Sequence, residues 1–105
     1  MHTFVGSKVW WYCDQETAPF VWFFCANVQF IGDPKDDPVT IFVSGSAREM
    51  DIRRGSNTKS DILLEVANDL KAETERVGIT IYRGDVLTHL AEAYETAERP
   101  KELEK

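Results

Sequence analysis

Between Lys8 and Cys25 the chain reads KVWWYCDQETAPFVWFFC, two aromatic runs on either side of six turn-prone residues. Aromatic and β-branched residues bounded by turn chemistry suit strands, so Lys8 to Cys13 and Phe20 to Ile31 are predicted to pair as a hairpin around DQETAP. If Cys13 stands opposite Phe20, Trp11 pairs with Trp22 and Val9 with Phe24 on one face. Trp10 with Phe23 and Tyr12 with Val21 then occupy the other. Neither run alternates with polar residues, so both faces stay apolar in any register. A sheet apolar on both sides needs cover on both sides. Whatever else the chain forms must answer that demand.

The remaining segments answer only half of it. GDPKDDP at residues 32–38 has the prolines and aspartates of a loop. VTIFV at 39–43 reads as a third strand, and SGS is expected to turn it into a fourth, AREMDIRR. After GSNTKSD the apolar period changes from two to 3.6: Ile62, Leu63, Val66, Ala67 and Leu70 form one stripe, and Val86, Leu87, Leu90, Ala91 and Tyr94 a second. These predict helices over 59–77 and 85–98. Thr58 or Ser60 would cap the first, Gly78 would end it, and Asp85 would cap the second. ITIY between them reads as a short strand or an extended link, and residues 100–105 read as a frayed tail after Pro100. The predicted architecture is one α+β domain over residues 1–105. An antiparallel meander of three to four strands (3–54) is followed by two helices packed together on one face. The second aromatic face is left to loops and the N-terminus, to a second copy, or to another protein.

Composition narrows the class. A 105-residue chain is long enough for one core without staples, and 43% hydrophobic with 29% charged residues is ordinary globular usage. No apolar run approaches the ~20 residues of a membrane span. MHTFVGSK lacks the basic, then apolar, pattern of a signal peptide, which predicts a cytoplasmic protein. The net charge of −6, from 18 acidic and 12 basic residues, disfavours unspecific attraction to nucleic acid and favours a basic partner. The acids cluster, with Asp33, Asp36 and Asp37 in one loop and Glu92, Glu95 and Glu98 near the C-terminus. Arg48, Arg53, Arg54 and Lys59 form the basic middle.

Catalytic and metal chemistry find little support. In the hairpin above, Cys25 faces Lys8, roughly 17 Å along the ladder from Cys13, beyond the ~7 Å reach of a disulfide. Both thiols are expected to be free and structural, as suits a reducing compartment. There is no CxxC, and His2 and His89 have no ligand-spaced neighbours, so neither a metal nor another cofactor is expected. His89 falls off the main helical stripe and reads as a solvent-edge residue. The row Glu92, Glu95, Glu98 reads as a solvated face or an electrostatic surface, and no catalytic residue is assigned. RGD at 83–85 is explained by a helix start at Asp85. RRGSNTKS at 53–60 lacks the spacing of a phosphate-binding P-loop.

Two resemblances frame the function. From Met50 to Ala97, MDIRR followed by DLKAETERVGIT and DVLTHLAEAYE resembles the ribbon-helix-helix order of small dimeric repressors. That resemblance implies strands from two subunits entering the major groove. Arg48, Met50, Ile52 and Arg54, or the alternate set Glu49, Asp51 and Arg53, would then face the bases, with Lys59 a further candidate contact. Small, acidic proteins with aromatic-rich sheets and no catalytic motif also resemble, in kind, phage and mobile-element inhibitors, including anti-CRISPR proteins, and toxin-immunity proteins. This second likeness is the leading expectation. It implies a non-catalytic inhibitor or adaptor that engages a basic nucleic-acid-binding protein through Trp10, Tyr12, Asp33, Asp36, Asp37, Glu92, Glu95 and Glu98. A homodimer closing the open sheet face is expected with it, and neither nucleic acid nor membrane is an expected partner.

Overall fold

The computed structural model describes residues 1–32, 38–55 and 57–104. Three antiparallel strands form a meander in the order β1 (Thr3–Tyr12), β2 (Val21–Ile31) and β3 (Val39–Arg48). Helices α1 (Glu49–Arg54), α2 (Thr58–Val77) and α3 (Arg83–Thr96) follow, and a 3₁₀ turn covers Lys101–Leu103. The architecture is the predicted α+β meander with helices packed on the sheet.

The hairpin register differs from expectation by two residues. Trp11 stands opposite Phe24, Tyr12 opposite Phe23 and Trp10 opposite Cys25. The cause lies in the loop. Asp14 Oδ1 accepts from the backbone N–H groups of Glu16 and Thr17 at 3.1 and 3.2 Å, and the Thr17 hydroxyl donates to Oδ2 at 2.7 Å. This aspartate-built turn, closed by Ala18 N–H on the Asp14 carbonyl, draws Cys13 and Phe20 out of the ladder. Because the side-chain period of a strand is two, a shift of two leaves every ring on its predicted face.

One face is the core. Trp11, Trp22, Phe24, Ala26, Val28, Phe30, Ile41 and Val43 are buried against Ile62, Val66 and Leu70 of α2 and Val86, Leu90 and Tyr94 of α3. These helix residues lie on the predicted stripes, with Leu63, Ala67, Leu87 and Ala91 half-buried at their margins. Gly78, left-handed at φ 77°, ends α2 as expected. SGS is not a turn. Ser44, Gly45 and Ser46 continue β3, and Gly45, which faces the helix without a β-carbon, lets α2 lie close against the strand. The α2 carboxylates also guard the outer edge of β3, where Ser44 N–H donates to Asp69 Oδ2 at 3.0 Å and Ser46 N–H to Glu65 Oε1 at 3.5 Å.

The expected fourth strand is helix α1. Its acids Glu49 and Asp51 lie in the first turn, its arginines Arg53 and Arg54 in the last, and Gly55 closes it at φ 82°. Tertiary contacts settle what six residues leave ambiguous. Trp22 Nε1 donates to Glu49 Oε1 at 3.0 Å, the Thr58 hydroxyl donates to the Asp51 carbonyl at 2.9 Å, and Ile52 enters the core. Thr58 therefore joins α1 to α2 through its hydroxyl, and the position before it, Asn57, is left-handed. α3 begins at Arg83, which puts Asp85 in its first turn rather than at its cap. The tail is not frayed through Leu103. That side chain is buried in the core, and Arg99 lies over the rings of Trp11 and Tyr94 at 5.7 and 5.3 Å.

Candidate functional site

All the helices pack on one side of the sheet, so the side chains of the opposite face stand clear of them. β1 sends Lys8, Trp10 and Tyr12 to this face, β2 sends Val21, Phe23, Cys25 and Asn27, and β3 sends Thr40, Phe42, Ser44 and Ser46. Trp10 and Phe42 reach across the central strand toward each other with ring centroids 6.0 Å apart, and Tyr12 and Phe23 form a second pair at 6.5 Å. Tyr12 and Phe42 are each 51% exposed, although they sit in the middle of regular strands. Cys25, directly opposite Trp10 in register, is buried, and burial pushes its thiol up to about 11. Among the described residues none of the strand side chains on this face is acidic, in a chain whose net charge is −6.

Of the predicted partner residues, Trp10 and Tyr12 belong to this face. Glu92 and Glu95 lie on α3 and Glu98 just beyond it, on the helical side of the molecule. The structure therefore divides the predicted set between two opposite surfaces. Glu95 is engaged already: Lys59 Nζ lies 2.6 Å from its Oε1 and holds its carboxyl below the usual range. Glu92 and Glu98 are exposed and take part in none of the ion pairs among the described residues. Asp33, Asp36 and Asp37 lie outside the described residues. Phe42 is missing from the predicted site, although its place between Ile41 and Val43 in a strand gave the signal: once those two face the core, alternation turns Phe42 away from it.

The basic set is regrouped. With Glu49–Arg54 helical, no ribbon can present Arg48, Met50, Ile52 and Arg54 along one side of a strand, and Ile52 is buried. Arg48, Arg53 and Arg54 instead meet around a groove of about 810 Å³ that is also lined by Phe20, Glu49 and Met50. Lys59 is absent from that lining. It is held by Glu95, with its ammonium 5.8 Å from the Tyr94 ring centre.

His89 is no solvent-edge residue. Half-buried between β1 and α3, its Nε2 lies 2.8 Å from the Ser7 hydroxyl and its ring 5.0 Å from that of Phe4. The contact ties the helix to the strand beside the irregularity between Phe4 and Gly6. Cys13 and Cys25 are unpaired, with Cys13 donating weakly to the carbonyls of Ala18 and Pro19. Among the described residues no group of three or more His, Cys, Asp or Glu could hold a metal ion, and no helix is long and apolar enough to cross a membrane. Compared with known proteins, the chain matches no family model, no curated protein and no solved structure.

Proposed function

We propose that the chain is a non-catalytic protein-binding module that docks an apolar protein surface on its open sheet face. One observation carries this reading: two aromatic pairs, Trp10 with Phe42 and Tyr12 with Phe23, stand on the sheet face turned away from the helices, with Tyr12 and Phe42 exposed and Trp10 and Phe23 half-buried. Aromatic side chains supply much apolar area at little conformational cost, and a contiguous patch of them is characteristic of contact surfaces. The missing carboxylates on this face fit the same role. Elsewhere the excess acid repels a second copy or another acidic protein, whereas here two surfaces can meet without that penalty.

A second copy is the simplest occupant, since a two-fold axis makes the patch its own complement. A foreign target is the other. The inhibitor or adaptor reading, with a basic nucleic-acid-binding protein as target, is supported by the net charge and by the exposed Glu92 and Glu98 on the helical side. Unpaired Cys13 and Cys25 support a reducing, cytoplasmic setting.

The reading is tested by capture on immobilised protein, comparing the wild type with Trp10→Asp and with Glu92→Gln. The sheet-face reading expects Trp10→Asp to lose the retained partner while its circular dichroism is unchanged. Retention by Trp10→Asp together with loss by Glu92→Gln would move the docking surface to the helices.

A further inference from the structure

The groove where β3 passes into α1 is built differently from the open sheet face. Phe20 and Met50 are 68% and 62% exposed, unusual for two large apolar side chains facing one cavity. They are also well anchored. Glu49 N–H donates to the Phe20 carbonyl at 2.8 Å, and Val21 N–H donates to Ala18 at 3.2 Å, so the backbone holding Phe20 is part of the sheet's end. Among the described residues the one carboxylate lining the groove, on Glu49, accepts from the Trp22 indole N–H. Around this apolar pair stand three guanidinium groups. Arg48 meets Asp51 at 3.3 Å in an exposed contact, while Arg53 and Arg54 join none of the ion pairs among the described residues. Exposed pairs of the Arg48–Asp51 kind hold weakly, so Arg48 is free to exchange partners.

We propose that this groove is a second binding site, which takes an acidic, apolar peptide segment of a partner protein. Its large apolar side chains would cover Phe20 and Met50, and its carboxylates would meet Arg48, Arg53 and Arg54. The charge is locally inverted: among the described residues three guanidiniums and one occupied carboxylate line the groove, in a chain with net charge −6. Screening confines that inversion to roughly 8–10 Å. A short segment with a few carboxylates falls inside that range. A polyphosphate extends beyond it into the negative field of the whole chain. Single-stranded nucleic acid also seeks a succession of rings for stacking, and the described lining of the groove offers one, Phe20. Met50 suits a peptide better, because its unbranched thioether adapts to varied side chains. The groove volume lies in the range of sites that engulf several groups at once, and guanidiniums grip carboxylates in bidentate fashion.

The site is tested with a displayed library of random peptides selected on the full chain. The enriched sequences should carry two or more Asp or Glu beside aromatic or large aliphatic residues. A labelled synthetic peptide of that consensus should lose about tenfold in affinity or more in Arg53→Glu/Arg54→Glu and in Phe20→Ser, and should weaken as salt rises. Trp10→Asp should leave its affinity unchanged, so failure of this site and failure of the sheet-face reading are separately visible. The proposal is overturned if no peptide is enriched, if the enriched peptides lack acids, or if the arginine variant binds them equally. Tighter, arginine-dependent binding of a single-stranded DNA oligonucleotide than of the consensus peptide would reassign the groove to nucleic acid.

Discussion

Gly45 of β3 lies so close beneath Ile62 of α2 that a β-carbon there would overlap the Ile62 carbonyl oxygen. Backbone cannot yield as a flexible side chain does, so helix and strand would have to separate. Gly45→Ala is therefore expected to lower stability by about 2–3 kcal/mol or to prevent folding. Gly84→Ala is the control. Nothing lies within 4 Å of a β-carbon at Gly84, in the first turn of α3, and the change should be neutral or stabilising by less than about 1 kcal/mol. Urea unfolding of the two variants checks the contrast; equal effects would mean that α2 does not rest on β3 in this way.

The docked C-terminal turn makes a second prediction. Leu103 is fully surrounded in the core, and Arg99 covers Trp11 and Tyr94. Leu103→Ala should cost about 2–4 kcal/mol, as for other buried leucines, measured by thermal or urea melting. A loss below about 0.5 kcal/mol, the level of an ordinary surface change, would restore the frayed tail that the sequence suggests.

Thiol chemistry gives a third. Burial raises Cys25 from 9.0 to about 11, and burial, then Glu49 and Asp14, raise Cys13. Only the thiolate reacts, so at pH 8 the native protein should react with a disulfide reagent more slowly than free cysteine, and Cys25 more slowly than Cys13. Two thiols per chain should titrate after denaturation without reductant. The folded-state value of Cys25 exceeds the unfolded one. Its contribution to stability is therefore intact below about pH 9 and is lost as pH rises towards 11. Rapid reaction of Cys25 in the native protein would contradict the burial described.

Self-association should be measurable but weak. Three strands about 4.8 Å apart and some nine residues long give a face of roughly 14 by 30 Å. That projected area of roughly 400 Å² is half the ~800 Å² per partner of a standard stable interface. Sedimentation velocity is expected to show a reversible monomer–dimer equilibrium at micromolar concentrations and above, abolished by Trp10→Asp. A strictly monomeric species of 12.0 kDa throughout would remove the second copy as occupant.

Duplex DNA should not be shifted by the protein at any salt concentration. A repressor would shift it at low salt, with affinity falling as salt rises in proportion to the phosphates neutralised. Such a shift would revive the ribbon-helix-helix reading in function, despite helix α1 in place of the ribbon.

The faces of the sheet were legible in the sequence, because parity along a strand survives a shift of two in register. Trp10 and Tyr12 were placed correctly even though Trp11 meets Phe24 rather than Trp22. The α2 and α3 stripes were legible because five apolar positions at helical spacing admit one period. EMDIRR carries too few residues to discriminate: Met50 and Ile52 alternate like a strand, while Glu49, Asp51, Arg53 and Arg54 suit the ends of a helix. Distant partners, Trp22 and Thr58, decide it. The arginine groove depends on that decision and so was invisible, although its arginines were singled out. Leu103 was missed because a single apolar residue in KELEK has no period to announce it.

Cover of the aromatic sheet face by a partner protein would hide Trp10, Tyr12, Phe23 and Phe42 from solvent. Hydroxyl-radical footprinting of the chain, free and with its captured partner, measures this residue by residue. Trp10, Tyr12, Phe23 and Phe42 are expected to lose reactivity in the complex while Leu64 and Val77, exposed on α2, keep theirs. Unchanged reactivity at Trp10 and Phe42, with protection confined to the helices, would contradict it.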